Sequence, residues 1–276
     1  MGLKEKKEDK LRKRFKKKYR VGLCLSGGGA RGFSYIGAFK AFEECGITFD
    51  AVAGTSIGSL FAAFYASGMN YEEIVRKTRA IKQSDFRKAT LGFLPSKMDI
   101  MNESIKKILP IHKAEELKIP YYAVAVDLKT GKEIRFTTGD LPAIITASCA
   151  IPGVFCAVKY RNMNLIDGGV KNNIPADVLI ENGCDFVVTI DCNSTRGGTT
   201  ESNNIITQFM TSVRIMMVNN SQKGLDLSDI IIRPNTQNCA SLSLKHKEEL
   251  MEAGYKATME LMPVIKELFL GKVKKR

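Results

Sequence analysis

Between Val21 and Gly68 the chain twice runs a short apolar stretch through a glycine-flanked turn into a helix, and that doubling leaves few folds open. The first unit is VGLCLS (21–26), the loop GGGARG (27–32) and a helix to about Cys45, stopped by Gly46. The second is FDAVAG (49–54), followed by the small-residue apolar helix SIGSLFAAFYASG (56–68), again ended by glycine. A helical crossover carries the chain back to the end of the sheet where the first strand began, so the two strands are expected to run parallel. Strands this uniformly apolar are buried on both faces. The fold class that follows is α/β, with a mainly parallel sheet covered on both sides.

The remainder fits that frame. Residues 71–117 read as helical and charged, interrupted by Pro95 and Pro110, in the role of an outer layer or a lid. IPYYAVAVDLKTGKEIRF (119–136) reads as two strands about a Lys-Thr-Gly turn, then a helix around 141–150 and a strand pair over 154–166. CDFVVTID (184–191) and DIIIRP (229–234) are further buried strands, with a helix near 203–223 between them and a long amphipathic helix over about 245–270. No repeat or linker divides this body, so residues 21–276 are expected to form one domain behind a basic, flexible tail over 1–20. No apolar run approaches the roughly 18 residues of a membrane-spanning helix. No secretory signal is evident, and the seven cysteines include no CxxC pair. Reduced, buried thiols in a cytoplasmic setting are therefore expected.

Three motifs carry chemistry. Gly54-Thr55-Ser56-Ile57-Gly58 fits the G-x-S-x-G nucleophile elbow, in which a serine sits on a tight strand-to-helix turn that side chains at either glycine would obstruct. The elbow places Ser56 at a helix N-terminus, whose dipole favours the negative charge of an attack. A serine N-cap between two useful glycines is the plainer alternative. The loop Gly27-Gly28-Gly29-Ala30-Arg31-Gly32 satisfies G-x-G-x-x-G, and Asp50 lies near the spacing of a ribose-binding acid, which makes a Rossmann-type dinucleotide-binding oxidoreductase the rival reading. Against it, Asp50 precedes the second strand instead of ending it. The same glycines can converge backbone N–H groups on one oxygen as an oxyanion hole, with Arg31 adding positive charge. Asp167-Gly168-Gly169 follows the apolar strand MNLI, and alone it reads as a turn.

In this order, GGGARG, GTSIG, ASCAIPGVF (147–155) and DGGVKNNIP (167–175) resemble the blocks of patatin-like phospholipases, over roughly residues 20 to 192. The resemblance implies a three-layer α/β/α sandwich and a Ser-Asp dyad without histidine. Ser56 is then the nucleophile and Asp167 the base. The oxyanion hole falls on Gly27, Gly28 and Gly29 with Arg31 nearby, and Gly32, Gly54, Gly58, Gly168 and Gly169 are motif glycines. The expected activity is cleavage of fatty-acyl esters, of phospholipids or other lipids, with no cofactor; a catalytically inactive lipid-binding module is the remaining alternative. After Phe155, where the family often continues with prolines, this chain has Cys156 and Ala157.

The histidine content agrees with a dyad. The only two histidines, His112 and His246, both lie in charged, helical surroundings typical of a surface. No cluster of histidine or cysteine has metal-ligand spacing. The formal net charge of +13 is concentrated in residues 1–20, whose 11 basic and 3 acidic side chains leave only about +5 for the body. In that tail Leu11, Phe15 and Tyr19 recur every four residues among Lys and Arg, the pattern of an amphipathic helix lying on anionic lipid at the inner face of a membrane. A near-neutral body makes nucleic acid an improbable partner.

Overall fold

The computed structural model describes residues 19–79, 98–193, 205–237, 239–240 and 243–271. Among these residues eight strands form one sheet: β1 Val21–Leu25, β2 Ala51–Thr55, β3 Tyr121–Asp127, β4 Glu133–Phe136, β5 Val158–Tyr160, β6 Met163–Asp167, β7 Phe186–Ile190 and β8 Ile230–Ile232. The order is β5-β6-β3-β2-β1-β7-β8, with β4 also paired to β3. The contiguous block β3-β2-β1-β7-β8 is parallel, β4 and β6 each pair antiparallel with β3, and β5 pairs antiparallel with β6.

Alternation along the strands divides the core into two layers, because successive side chains leave a strand on opposite faces. Leu23, Leu25, Val52, Ala123, Ala125, Val188 and Ile190 point into the larger cluster. Cys24, Ala51, Ala53, Tyr122, Val124 and Val187 point into the smaller one. Helices α1 (Ser34–Glu44), α2 (Ile57–Ala66), α5 (Leu141–Ser148) and α9 (Lys247–Phe269) cover the first face, with α3 (Tyr71–Arg79) and α4 (Asp99–Ile108) outside them. The short α6 (Ala176–Glu181) and α8 (Gln222–Asp226) cover the second. The three-layer sandwich is thus present.

Where α1 crosses α9 the backbones touch. A Cβ on Gly37 would run into the Met251 carbonyl, and one on Gly254 into the Ser34 carbonyl. On the opposite face a charged latch ties β4 to α6 and α8. Arg135 pairs with Glu133 at 2.6 Å, Asp177 at 2.7 Å and Glu181 at 2.5 Å, and Lys223 reaches Asp177 at 2.6 Å.

Several expectations are refined. The helix expected near 203–223 is broken into α7 (Ile205–Asn219) and α8. The helix α6 has no counterpart in the sequence reading. The boundary of the tail moves: Tyr19 packs edge-on against Phe186 with ring centroids 5.0 Å apart, and the Arg20 N–H donates to Asp185 at 2.9 Å. Tyr19 therefore belongs to the folded body and not to a lipid-facing stripe; Leu11 and Phe15 lie outside the described residues. So does the middle of 71–117. None of the seven cysteines, all of them among the described residues, is in a disulfide, and Cys24, Cys184, Cys192 and Cys239 are buried. Among the described residues no helix is long and apolar enough to cross a membrane.

Candidate active site

β2 runs straight into the elbow. Ser56 has φ 54° and ψ −130°, a strained conformation for a residue with a side chain, worth roughly 1–3 kcal/mol. Its surroundings force it. A Cβ on Gly54 would strike the Gly58 backbone, and one on Gly58 would strike the carbonyls of Leu25 and Ser26, so both glycines are required by space. The Ser56 N–H donates to Ser148 Oγ at 2.8 Å, and that hydroxyl donates onward to the Val124 carbonyl at 2.7 Å. No side chain caps α2, which begins one residue after Ser56. The plainer reading of Ser56 as a helix cap thus fails, since its hydroxyl makes no cap bond.

Asp167 reaches the elbow through strand register. Both β2 and β4 pair with Val124 of β3, so they occupy its opposite edges. β6 shares Ala125 and Val126 with β4 and must lie on the edge that β2 uses. β2 ends with Thr55 opposite Val124, and β6, running the other way, ends with Asp167 opposite Ala125. Two strands therefore meet head to head, bringing together residues 111 apart in sequence. Gly168 permits the meeting, since a Cβ there would hit the Val124 carbonyl.

Asp167 is fully buried. Its Oδ1 accepts the Gly169 N–H at 2.8 Å, whereas Oδ2 has no hydrogen-bond partner among the described residues. Loss of hydration pushes its pKa up to about 7, against the opposing pull of the Ser56 hydroxyl and the Gly169 N–H. The hydroxyl is thus close enough to favour the carboxylate, although it closes no hydrogen bond on Oδ2 in this state. Burial and the nearby Asp167 charge push the Cys149 thiol pKa up, which disfavours a thiolate beside the serine.

The glycine loop stands on the other side of the elbow. A Cβ on Gly32 would press on Ile57, the residue after Ser56. The Gly27 N–H is already engaged, donating to the Asn173 carbonyl at 3.1 Å. Gly27 is therefore corrected as a source of an oxyanion donor. The N–H groups of Gly28 and Gly29 have no partner among the described residues. Arg31 is buried, with Nε donating to the Cys239 carbonyl at 2.9 Å and Nη1 to Asn193 Oδ1 at 3.3 Å. It braces the loop; none of its hydrogen bonds goes to Ser56 or Asp167.

Three supports escaped the sequence reading. Asn193 Nδ2 donates to the Gly27 carbonyl, and Cys192 Sγ fills the space that a Cβ on Gly28 would need. Tyr35 donates to the Ser26 carbonyl at 2.5 Å and lies 3.1 Å from Cys192 Sγ. Ser148 and Asn173 stood in blocks already singled out, whereas Asn193 and Cys192 carried no signal at all.

Other candidates fall away from the elbow. Asp50 accepts the Val21 N–H at 2.8 Å, at the start of β1 and so at the opposite end of the sheet from the glycine loop. His112 contacts the Lys106 carbonyl and His246 contacts Glu249, each at 3.0 Å. Among the described residues one donor group has metal-binding proximity: Cys239, His246 and Glu249, with ligand atoms within 4.8 Å of one another. None of the three bonds to Ser56 or Asp167.

A parallel α/β sandwich with a serine on a strand-to-helix elbow defines a class, and comparison with known proteins narrows it. The patatin-like phospholipase family model matches residues 23–180. The chain belongs to that family. It is 31% identical over 194 residues to an uncharacterised NTE family protein of Mycobacterium tuberculosis, covering 68% of this chain and 53% of that one. It is 33% identical over 184 residues to patatin-like phospholipase domain-containing protein 7 of Rattus norvegicus, covering 63% of this chain and 14% of that one. The chain thus spans about half the mycobacterial relative and a small part of the rat one. Among solved structures, VipD from Legionella pneumophila superposes with TM-score 0.63 at 15% identity, over 89% of this chain and 67% of that chain. Human GIVD cytosolic phospholipase A2 superposes with TM-score 0.52 at 13% identity, over 94% and 60%. These structural likenesses speak for the fold.

Proposed function

We propose that this protein is a serine acyl hydrolase that cleaves fatty-acyl esters of phospholipids or lysophospholipids through an acyl-Ser56 intermediate, with Asp167 as base. The observation that carries the reading is the buried, unpartnered Oδ2 of Asp167 at the end of the strand that meets the Ser56 elbow. An acceptor left bare costs free energy unless a proton is to be placed there. Ser56 Oγ attacks the ester carbonyl while its proton passes to Asp167, and the Gly28 and Gly29 N–H groups receive the oxyanion. The proton then leaves with the alcohol, and Asp167 activates the water that releases the fatty acid. A carboxyl with pKa about 7 suits both transfers. The basic segment 1–20 fits electrostatic attraction to anionic lipid. Deleting residues 1–18 should weaken binding to anionic vesicles while sparing a soluble ester, and unchanged binding would remove that role.

The test is hydrolysis of a chromogenic fatty-acyl ester together with labelling by methyl gamma-linolenyl fluorophosphonate, read by mass spectrometry. Wild type should turn over and carry one adduct on Ser56. Ser56→Ala and Asp167→Ala should each lose activity by at least about 10³-fold. Activity surviving Ser56→Ala would sink the mechanism, and an inert, unlabelled wild type would favour a lipid-binding module.

A further inference from the structure

We infer that the outer face of α7 docks on a phospholipid surface and so brings that surface up to the site around Ser56 and Asp167; the inference rests on the acyl-hydrolase reading above. The inner face of α7 is fixed to the site. The Met217 methyl fills the space beside Gly169, two residues after Asp167. Where the helix ends, Asn220 Nδ2 donates to the Val170 carbonyl at 2.5 Å, and Asn173 Nδ2 donates to Ser221 Oγ at 3.0 Å. Midway along, Arg214 is near enough to Arg31 for their charges to oppose one another.

The outer face is unusual for a water-facing helix. Ile205, Phe209 and Met216 are 78%, 51% and 56% exposed, and their spacing of four and seven puts them in one stripe, with Ile215 at its flank. Val213, on the inner side, is buried. Lone exposed apolar residues are ordinary, but an aligned set beside a site marks a surface with a partner. The charge pattern selects the partner. Residues 205–219 contain no Asp or Glu, their one basic residue, Arg214, sits on the inner side near Arg31, and the exposed Lys171 lies next to Val170, against the end of the helix. An apolar stripe free of acids, with a lysine at its end, suits the headgroup boundary of a phospholipid layer. A polar substrate would not call for the stripe, whereas a lipid has to leave its layer close to Ser56.

The chain has no tryptophan, so Phe209→Trp supplies a single reporter on the stripe. Its emission should shift to the blue when vesicles of phosphatidylcholine with phosphatidylglycerol are added. Unmoved emission would overturn the inference. In parallel, Ile205→Gln/Phe209→Gln/Met216→Gln should lower vesicle co-sedimentation and hydrolysis of vesicular phospholipid on the order of tenfold, while hydrolysis of a soluble short-chain ester stays within about twofold. Equal losses on both substrates, or undiminished vesicle binding, would refute it. A wild-type dimer in light scattering that the triple variant splits would assign the stripe to a second copy instead. Failure of the hydrolase reading is distinguishable: wild type would then be inert on the soluble ester, yet the fluorescence shift would still report docking.

Discussion

At the scale of single residues, the two partners at the elbow are held in states that a stable fold alone would avoid: a strained serine and a buried carboxyl without a full hydrogen-bond set. The carboxyl makes a signed prediction. Its folded pKa lies above that of the unfolded chain, so Asp167 withdraws stability as pH rises from about 4 to about 7 and the loss is complete above that. Asp167→Asn, isosteric and neutral, should therefore raise Tm by a few degrees at pH 8 and leave it nearly unchanged at pH 4, while abolishing activity. Calorimetry at the two pH values checks it; an equal shift at both would mean that burial does not tax the charge. In wild type, kcat/KM should rise through an apparent pKa near 7 and level off above it, and a profile flat from pH 5 to 9 would exclude Asp167 as base. Asn193→Ala should lower kcat with little change in KM for a soluble ester, since it frees the Gly27 carbonyl and loosens the donors beside it.

At the scale of elements, what could be read in the sequence was what is encoded locally. The elbow glycines, the glycine loop and the β3–β4 turn each satisfy a constraint within a few residues, and the uniformly apolar runs marked strands buried on both faces before any partner was known. Less visible were contacts fixed by tertiary register. Ser148 supports Ser56 across 92 residues and Asn193 supports Gly27 across 166, and neither residue type announces such a role. Asp167 alone read as a turn residue; its position follows only once β2 and β6 share an edge of β3. The crossing of α1 and α9 offers a test at this scale. Gly254→Ala would gain about 1 kcal/mol of helix propensity, but its methyl would overlap the Ser34 carbonyl, which costs more. We expect a net loss of roughly 1–3 kcal/mol, seen as a lower denaturant midpoint with unchanged slope.

For the molecule as a whole, the matched family region ends at residue 180, inside α6. A fragment ending there lacks β7, β8 and α9, leaving one edge of β1 unpaired and the large face of the sheet partly bare. It should aggregate on expression, and a soluble, cooperatively unfolding fragment would show that the C-terminal third is dispensable. On the opposite face, Asp177 is held below the usual carboxylate range by Lys223, Asn172 and Arg135, which together outweigh its desolvation. Its contribution is full above about pH 4 and fades as pH falls through its lowered pKa. Asp177→Ala should thus cost roughly 1–3 kcal/mol at pH 7 and progressively less in acid. The head-to-head strands have a broader consequence. Because β3 acts as a ruler, the spacing between Ser56 and Asp167 is set by strand register and not by how much chain runs from one to the other. Insertions in the loops along that stretch, as opposed to changes in β3 itself, therefore leave the two groups in calibration.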